Sequence, residues 1–145
     1  MPQLTLEQAQ TIVGTALKHG TDHKLQPLAV VVLDARGVPK AYAAQDGTSL
    51  RRFEIAQGKA HGALSLGIGS RELAKRAVER PHFIAAVTHA VGGSLIPVPG
   101  GVLIRAADRS IIGAVGISGD SSDNDEAAAI AGIEAAGLAA DPGEG

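Results

Sequence analysis

The stretch GVLIRAADRSIIGAVGISGDSSDNDEAAAIAG, residues 101 to 132, decides the fold. Two β-branched runs, GVLIRA (101–106) and SIIGAVGIS (110–118), flank the short turn ADR, which is the signature of a β-hairpin with Asp108 and Arg109 in its turn. A helix then follows, over 123–138 and rich in alanine. Gly113, Gly116 and Gly119 give G-x-x-G-x-x-G, which fits neither the dinucleotide fingerprint nor the P-loop. Asp120, Asp123, Asp125 and Glu126 place four negative charges where a phosphate would have to sit. The segment therefore reads as a carboxylate-capped strand-to-helix turn, and its glycines as backbone features.

Working outward, Thr5 and Gln8 form a capping box ahead of Leu6, Ala9, Ile12, Val13, Ala16 and Leu17, so residues 5 to about 20 are an amphipathic helix. LAVVVLD (28–34) and AYAAQD (41–46), separated by ARGVPK, form a second hairpin. Helical segments follow over 51–66, from Ser70, and from Pro81 at a first helical position. Two hairpins between helices predict an α+β fold. Nearly continuous apolar strands ask for cover on both faces, so the expected architecture is a three-layer α/β/α sandwich with a central antiparallel sheet. One domain is expected over 1–145, with a loosely ordered tail at 139–145.

The composition narrows the partners. Aromatic residues make up 2% of the chain, so the core is built from Ala, Val, Ile and Leu, and some missing burial is expected from contacts in a homo-oligomer. A net charge of -2 and no aromatic platform argue against nucleic acid. There is no cysteine, hence no thiol nucleophile and no thiolate-ligated metal. No run reaches the length of a membrane span, and the first residues lack the pattern of a signal peptide. The expected location is cytoplasmic, although a mature form cleaved from its signal peptide would read the same.

Chemistry rests on a few polar residues. His19 and His23, at i and i+4, are the one histidine pair with metal-ligand spacing, but Gly20 interrupts them and no third ligand is evident, so no metal site is assigned. His82 and His89 lie two turns apart, roughly 10 Å along a helix, too far to share an ion. In RRFEIAQGKAHGALSLG (51–67) the core stripe is Phe53, Ala56, Ala60, Ala63 and Leu64. Lys59 and His61 then flank it, about 160° apart, and are not a dyad. Lys59 reads either as a lysine snorkelling at the helix edge or as a catalytic group. His61 reads as an exposed helix residue or as a functional imidazole.

The order of L-x-L-E-Q-A (4–9), LAVVVLDARGVPKAY, QDG (45–47), IAQGKA (55–60), VPGGV (98–102) and IIGAVGISGDSSDNDEAAAIAG resembles the GlcG/HbpS-like haem-binding family, also seen as the C-terminal domain of PduO-type corrinoid adenosyltransferases. The resemblance implies an α/β/α sandwich, homo-oligomeric assembly and members that bind or degrade haem, with Lys59 matching the family's K-A helix. Asp108-Arg109 replaces the D-G of many relatives, and His61 stands where they carry a small or polar residue. Three readings follow. The chain is a haem or related tetrapyrrole-binding module, with His61 or His89 as ligand and Gly100 and Gly101 against the cofactor. Alternatively it is an acid–base enzyme for a small metabolite, using His61, Asp46, Lys59 and the Gly100–Gly101 amides. The third reading is a non-catalytic scaffold subunit.

Overall fold

The computed structural model describes residues 2–143. Helix α1 (Leu6–Asp22) leads into strands β1 (Ala29–Asp34) and β2 (Pro39–Ala44), then α2 (Arg52–Leu66), α3 (Ser70–Glu79) and α4 (Pro81–Ala90). Strands β3 (Gly101–Arg105) and β4 (Ile111–Ser118), helix α5 (Ser122–Ala135) and β5 (Ala139–Asp141) complete the chain. The five strands form one sheet in the order β2-β1-β4-β3-β5, every neighbouring pair antiparallel. Helices α1 and α5 cover one face and α2 the other, with α3 and α4 beside it, which gives the expected α/β/α sandwich.

Local chemistry sets the boundaries. Thr5 and Gln8 make the reciprocal capping box at the start of α1, and Pro81 opens α4. At α5 the cap is the Ser121 hydroxyl, which accepts from the Asn124 amide, and not a carboxylate as the acidic run suggests. Asp120 instead accepts from the Gln26 and Ser121 amides and the Asn124 side chain, holding the strand-to-helix turn from outside. The β3–β4 turn is the predicted one: Arg109 sits at φ 72, and Asp108 accepts from the Ser110 amide and hydroxyl.

Two expectations are corrected. Helix α5 ends at Ala135, and Ala139–Asp141, assigned to a loose tail, form the edge strand β5 on β3, with Asp141 bonded to Arg105 at 2.9 Å. Of that tail, residues 144–145 lie outside the described residues. Three residues, two of them alanine, carry too little periodic pattern to read as a strand. The periodicity of α2 gives one buried stripe, yet the helix is covered on two sides. On the sheet side, a side chain at Gly116 would run into the Ala56 carbonyl; on the outer side Ile96 and Leu95 seat on Gly58 and Gly62. The glycines of β4 and α2 thus let the helix lie against the sheet beneath and against the 94–96 segment above.

Candidate functional site

A groove of about 420 Å³ runs along the outer side of the first two turns of α2. Phe53, Ile55, Gln57 and Gly58 form its floor, and Gly92, Gly93, Ser94 and Ile96 form the opposite wall. The wall exists because the chain leaving α4 turns through Gly92 and Gly93, both at positive φ, and returns with Ile96 donating its amide to the Gly58 carbonyl. Tyr42 on β2 meets the Phe53 ring edge-on with centroids 4.9 Å apart, so two of the chain's three aromatic residues stand at one end of the groove.

His61 is not among the residues that line the groove; it lies one turn beyond Gln57 on α2, between Ser94 and the β1–β2 turn. Gln57, one turn before it, lines the groove, as does Ser94, whose carbonyl lies 2.9 Å from His61 Nδ1. A carbonyl oxygen only accepts, so the ring proton of a neutral His61 sits on Nδ1 and Nε2 keeps its lone pair. The same arrangement orients metal-bound histidines, whose second nitrogen donates to a carbonyl or carboxylate. The Nε2 edge faces the β1–β2 turn at Gly37: a side-chain carbon on Gly37 would stand 3.5 Å from Cδ2 and 3.9 Å from Nε2. Gly37, at φ 81, therefore both makes the turn and leaves that edge of the ring uncrowded.

The other expected site residues are elsewhere. Lys59 is 2% exposed, so it does not snorkel. Its ammonium donates to Asp125 Oδ2 at 3.1 Å and to the Ile117 carbonyl at 2.9 Å. Burial pushes the lysine below its usual value, opposed by the attraction of Asp125; burial pushes the Asp125 carboxyl up, opposed by Lys59. The pair joins α2 to the start of α5 across the end of β4. The Gly100 and Gly101 backbone packs against Lys59, and the Gly101 amide is taken by Ser70 Oγ at 2.7 Å. Asp46 is exposed in the turn after β2, and His89 is exposed in the last turn of α4. The rings of His19 and His23 stack 4.0 Å apart, with His23 Nδ1 on the His19 carbonyl. Among the described residues no group of three or more His, Asp or Glu side chains has metal-binding geometry.

The surroundings of His61 are not legible in the sequence. Ser94, Gln57 and Gly37 carry no motif; the one local signal was Gly92-Gly93, a breaker pair after a helix.

The model of the haem degrading protein HbpS-like family matches residues 4–134. The chain belongs to the HbpS-like family. No curated protein matches it in sequence. Among solved structures it is similar to a PduOC:heme complex, at 22% identity over 94% of this chain and 97% of that one, with a TM-score of 0.84. It is also similar to the Klebsiella pneumoniae protein ORFY, at 24% identity over 94% and 93%, TM-score 0.83. HbpS itself matches at 27% identity over 92% and 90%, TM-score 0.79. No helix among the described residues is long and apolar enough to cross a membrane.

Proposed function

We propose that this HbpS-like chain binds haem or a related metallotetrapyrrole beside α2, where His61 would hold its metal. The observation that carries the reading is the His61–Ser94 hydrogen bond, which fixes the ring and leaves Nε2 free to bind a metal. Two features support the reading: an oriented imidazole at His61, and next to Ser94 a groove with aromatic and aliphatic walls and a volume within the range of small-molecule sites. Bound haem would supply redox and ligand-binding chemistry at its metal. Phe53, Ile96 and Gly58 would exclude water from its faces, and Ser94 would hold the His61 proton on Nδ1.

The acid–base enzyme reading has less support. The Gly101 amide is already bonded to Ser70, Lys59 is spent on Asp125, and Asp46 makes no hydrogen bond or ion pair among the described residues. The scaffold reading leaves the oriented histidine unexplained. Self-association belongs to the proposal as well: Leu50 and Val78 are 85% and 84% exposed, two apolar side chains that a second copy of the chain would cover.

Titration of the apo protein with haem, followed at the Soret band, tests the reading. Wild type is expected to bind at micromolar haem or below. His61→Ala should weaken binding at least tenfold with unchanged circular dichroism, while His19→Ala and His23→Ala bind as wild type. Unaltered haem affinity in a folded His61→Ala protein would remove His61 from the site.

A further inference from the structure

The two edges of the sheet are finished differently. At β5 the edge strand is three residues long and runs straight into Pro142, whose carbonyl accepts from the Arg71 amide. Short length and a proline close that edge to further pairing. At the other edge β2 is six residues long. Pro39 and the bulge at Lys40, where Val32 faces Ala41 but Leu33 faces Pro39, blunt only its first part. Beyond the bulge the Gln45 amide donates to the Leu28 carbonyl, so the alternation of an antiparallel ladder turns the amides and carbonyls of Ala41 and Ala43 toward β1 and those of Tyr42 and Ala44 away from the sheet. The Tyr42 and Ala44 side chains are exposed as well, on the face where Tyr42 meets Phe53. Lys40 and Asp46 flank this stretch, each three residues from Ala43. Both are exposed, and neither has an ion-pair partner among the described residues.

We infer that β2 pairs with β2 of a second copy of the chain, antiparallel about a two-fold axis at Ala43, so that one sheet continues through both. The pairing is self-complementary. Tyr42 faces Ala44 of the partner subunit and Ala44 faces the partner's Tyr42, each exchanging its outward amide and carbonyl bonds, while the small Ala44 leaves room beside the tyrosine ring. In the same register Lys40 stands opposite Asp46 of the partner subunit at both ends. Sliding the strands so that Tyr42 faces Tyr42, or Ala44 faces Ala44, keeps the backbone bonds but loses both charge pairs. Exposed ion pairs add little affinity, so the charges select the register and the backbone bonds hold it. This gives the self-association reading its surface and does not rest on the haem reading.

The chain has no cysteine, so a single introduced thiol reports the register. Across the axis the two Ala43 residues form a non-hydrogen-bonded pair with Cα atoms about 4.5 Å apart, within the roughly 4.4–6.8 Å span of a disulfide. The two Ala41 residues lie about 13 Å apart along the strands. Single cysteines at positions 41, 42, 43 and 44 of the full chain, oxidised with a glutathione couple and resolved on non-reducing gels, are expected to give covalent dimer at least about tenfold faster for Ala43→Cys than for Ala41→Cys. In the Ala43→Cys background, Lys40→Glu should slow cross-linking severalfold, and adding Asp46→Lys should restore it. Fastest cross-linking at Tyr42→Cys or Ala44→Cys would overturn the register, as would a rate that Lys40→Glu leaves unchanged. No cross-linking at any position, in variants that circular dichroism shows folded and light scattering shows oligomeric, would overturn this surface alone. A monomeric wild type would overturn the self-association reading and the inference with it.

Discussion

Replacing Lys59 by methionine separates a structural lysine from a catalytic one. Methionine preserves most of the aliphatic stem and removes the ammonium, so the change falls on electrostatics more than on packing. What it leaves behind is the Asp125 carboxylate, 1% exposed, with the Asp120 amide on Oδ1 as its remaining partner, and an Ile117 carbonyl that has lost the bond from Nζ. Breaking a buried pair by deleting one member costs about 3–5 kcal/mol. Set against a typical total of about 5–15 kcal/mol, Lys59→Met should bring the protein close to the edge of folding at neutral pH. The loss depends on pH. The unpaired carboxyl titrates well above the value of about 3.9 that it has in the unfolded chain, so between those two values the native state holds more protons and stability falls as pH rises.

Urea unfolding of Lys59→Met at pH 7.5 and at pH 5 measures both effects. The variant should lose at least 3 kcal/mol at pH 7.5, by the estimate for a broken buried pair, and recover part of the loss at pH 5. Adding Asp125→Asn should restore part of it at pH 7.5, with a coupling energy of at least about 1 kcal/mol. A loss below about 1 kcal/mol, with an unchanged denaturant slope, would refute the reasoning. Intact stability with abolished activity would return Lys59 to the catalytic list.

The carboxylates on the surface give the opposite pH dependence. The Asn124 side chain and the amides of Gln26 and Ser121 hold Asp120 below the usual carboxylate value, so its contribution is complete above about pH 4 and disappears as pH falls through the folded value. Asp120→Asn should lower the urea midpoint at pH 7 and flatten its decline between pH 5 and pH 2; an unchanged profile would show that the turn does not need the charge. Arg109→Gly should be neutral or stabilising by up to about 1 kcal/mol, because φ 72 penalises a side chain and that of Arg109 has no partner among the described residues. A loss larger than that in thermal melts would reveal a contact made by the arginine. Light scattering at micromolar concentration should give at least twice the 14.6 kDa chain mass, and Leu50→Glu or Val78→Glu should reduce it. A stable wild-type monomer would count against self-association.

The legible part of this molecule is what short-range chemistry writes into consecutive residues. The capping box at Thr5, the β-branched runs of β1, β3 and β4, and the αL turn at Arg109 are decided within a few positions of one another, and each was readable. The illegible part depends on residues far apart in sequence. Helix α2 shows why: its periodicity assigns one buried stripe, and Lys59 then falls on a flank that looks like solvent. That flank becomes interior because Asp125, 66 residues away, and the Ile117 carbonyl close over it. No pattern internal to RRFEIAQGKAHGALSLG contains that partner. His61 differs in the same respect. Its helical position places it off the core stripe, but what sets its tautomer is a backbone carbonyl 33 residues away. A carbonyl has no side-chain identity, so no residue type at position 94 could have announced it. The glycines were the one usable trace of these distant contacts. Gly58 and Gly62 lower helix propensity by about 1 kcal/mol each relative to alanine, a cost that a solvent-facing surface has no reason to bear. Two such residues on the outer side of a helix mark something packed against it, and here that is the segment carrying Ser94, Leu95 and Ile96. The wall of the groove was therefore encoded in α2 as missing side chains.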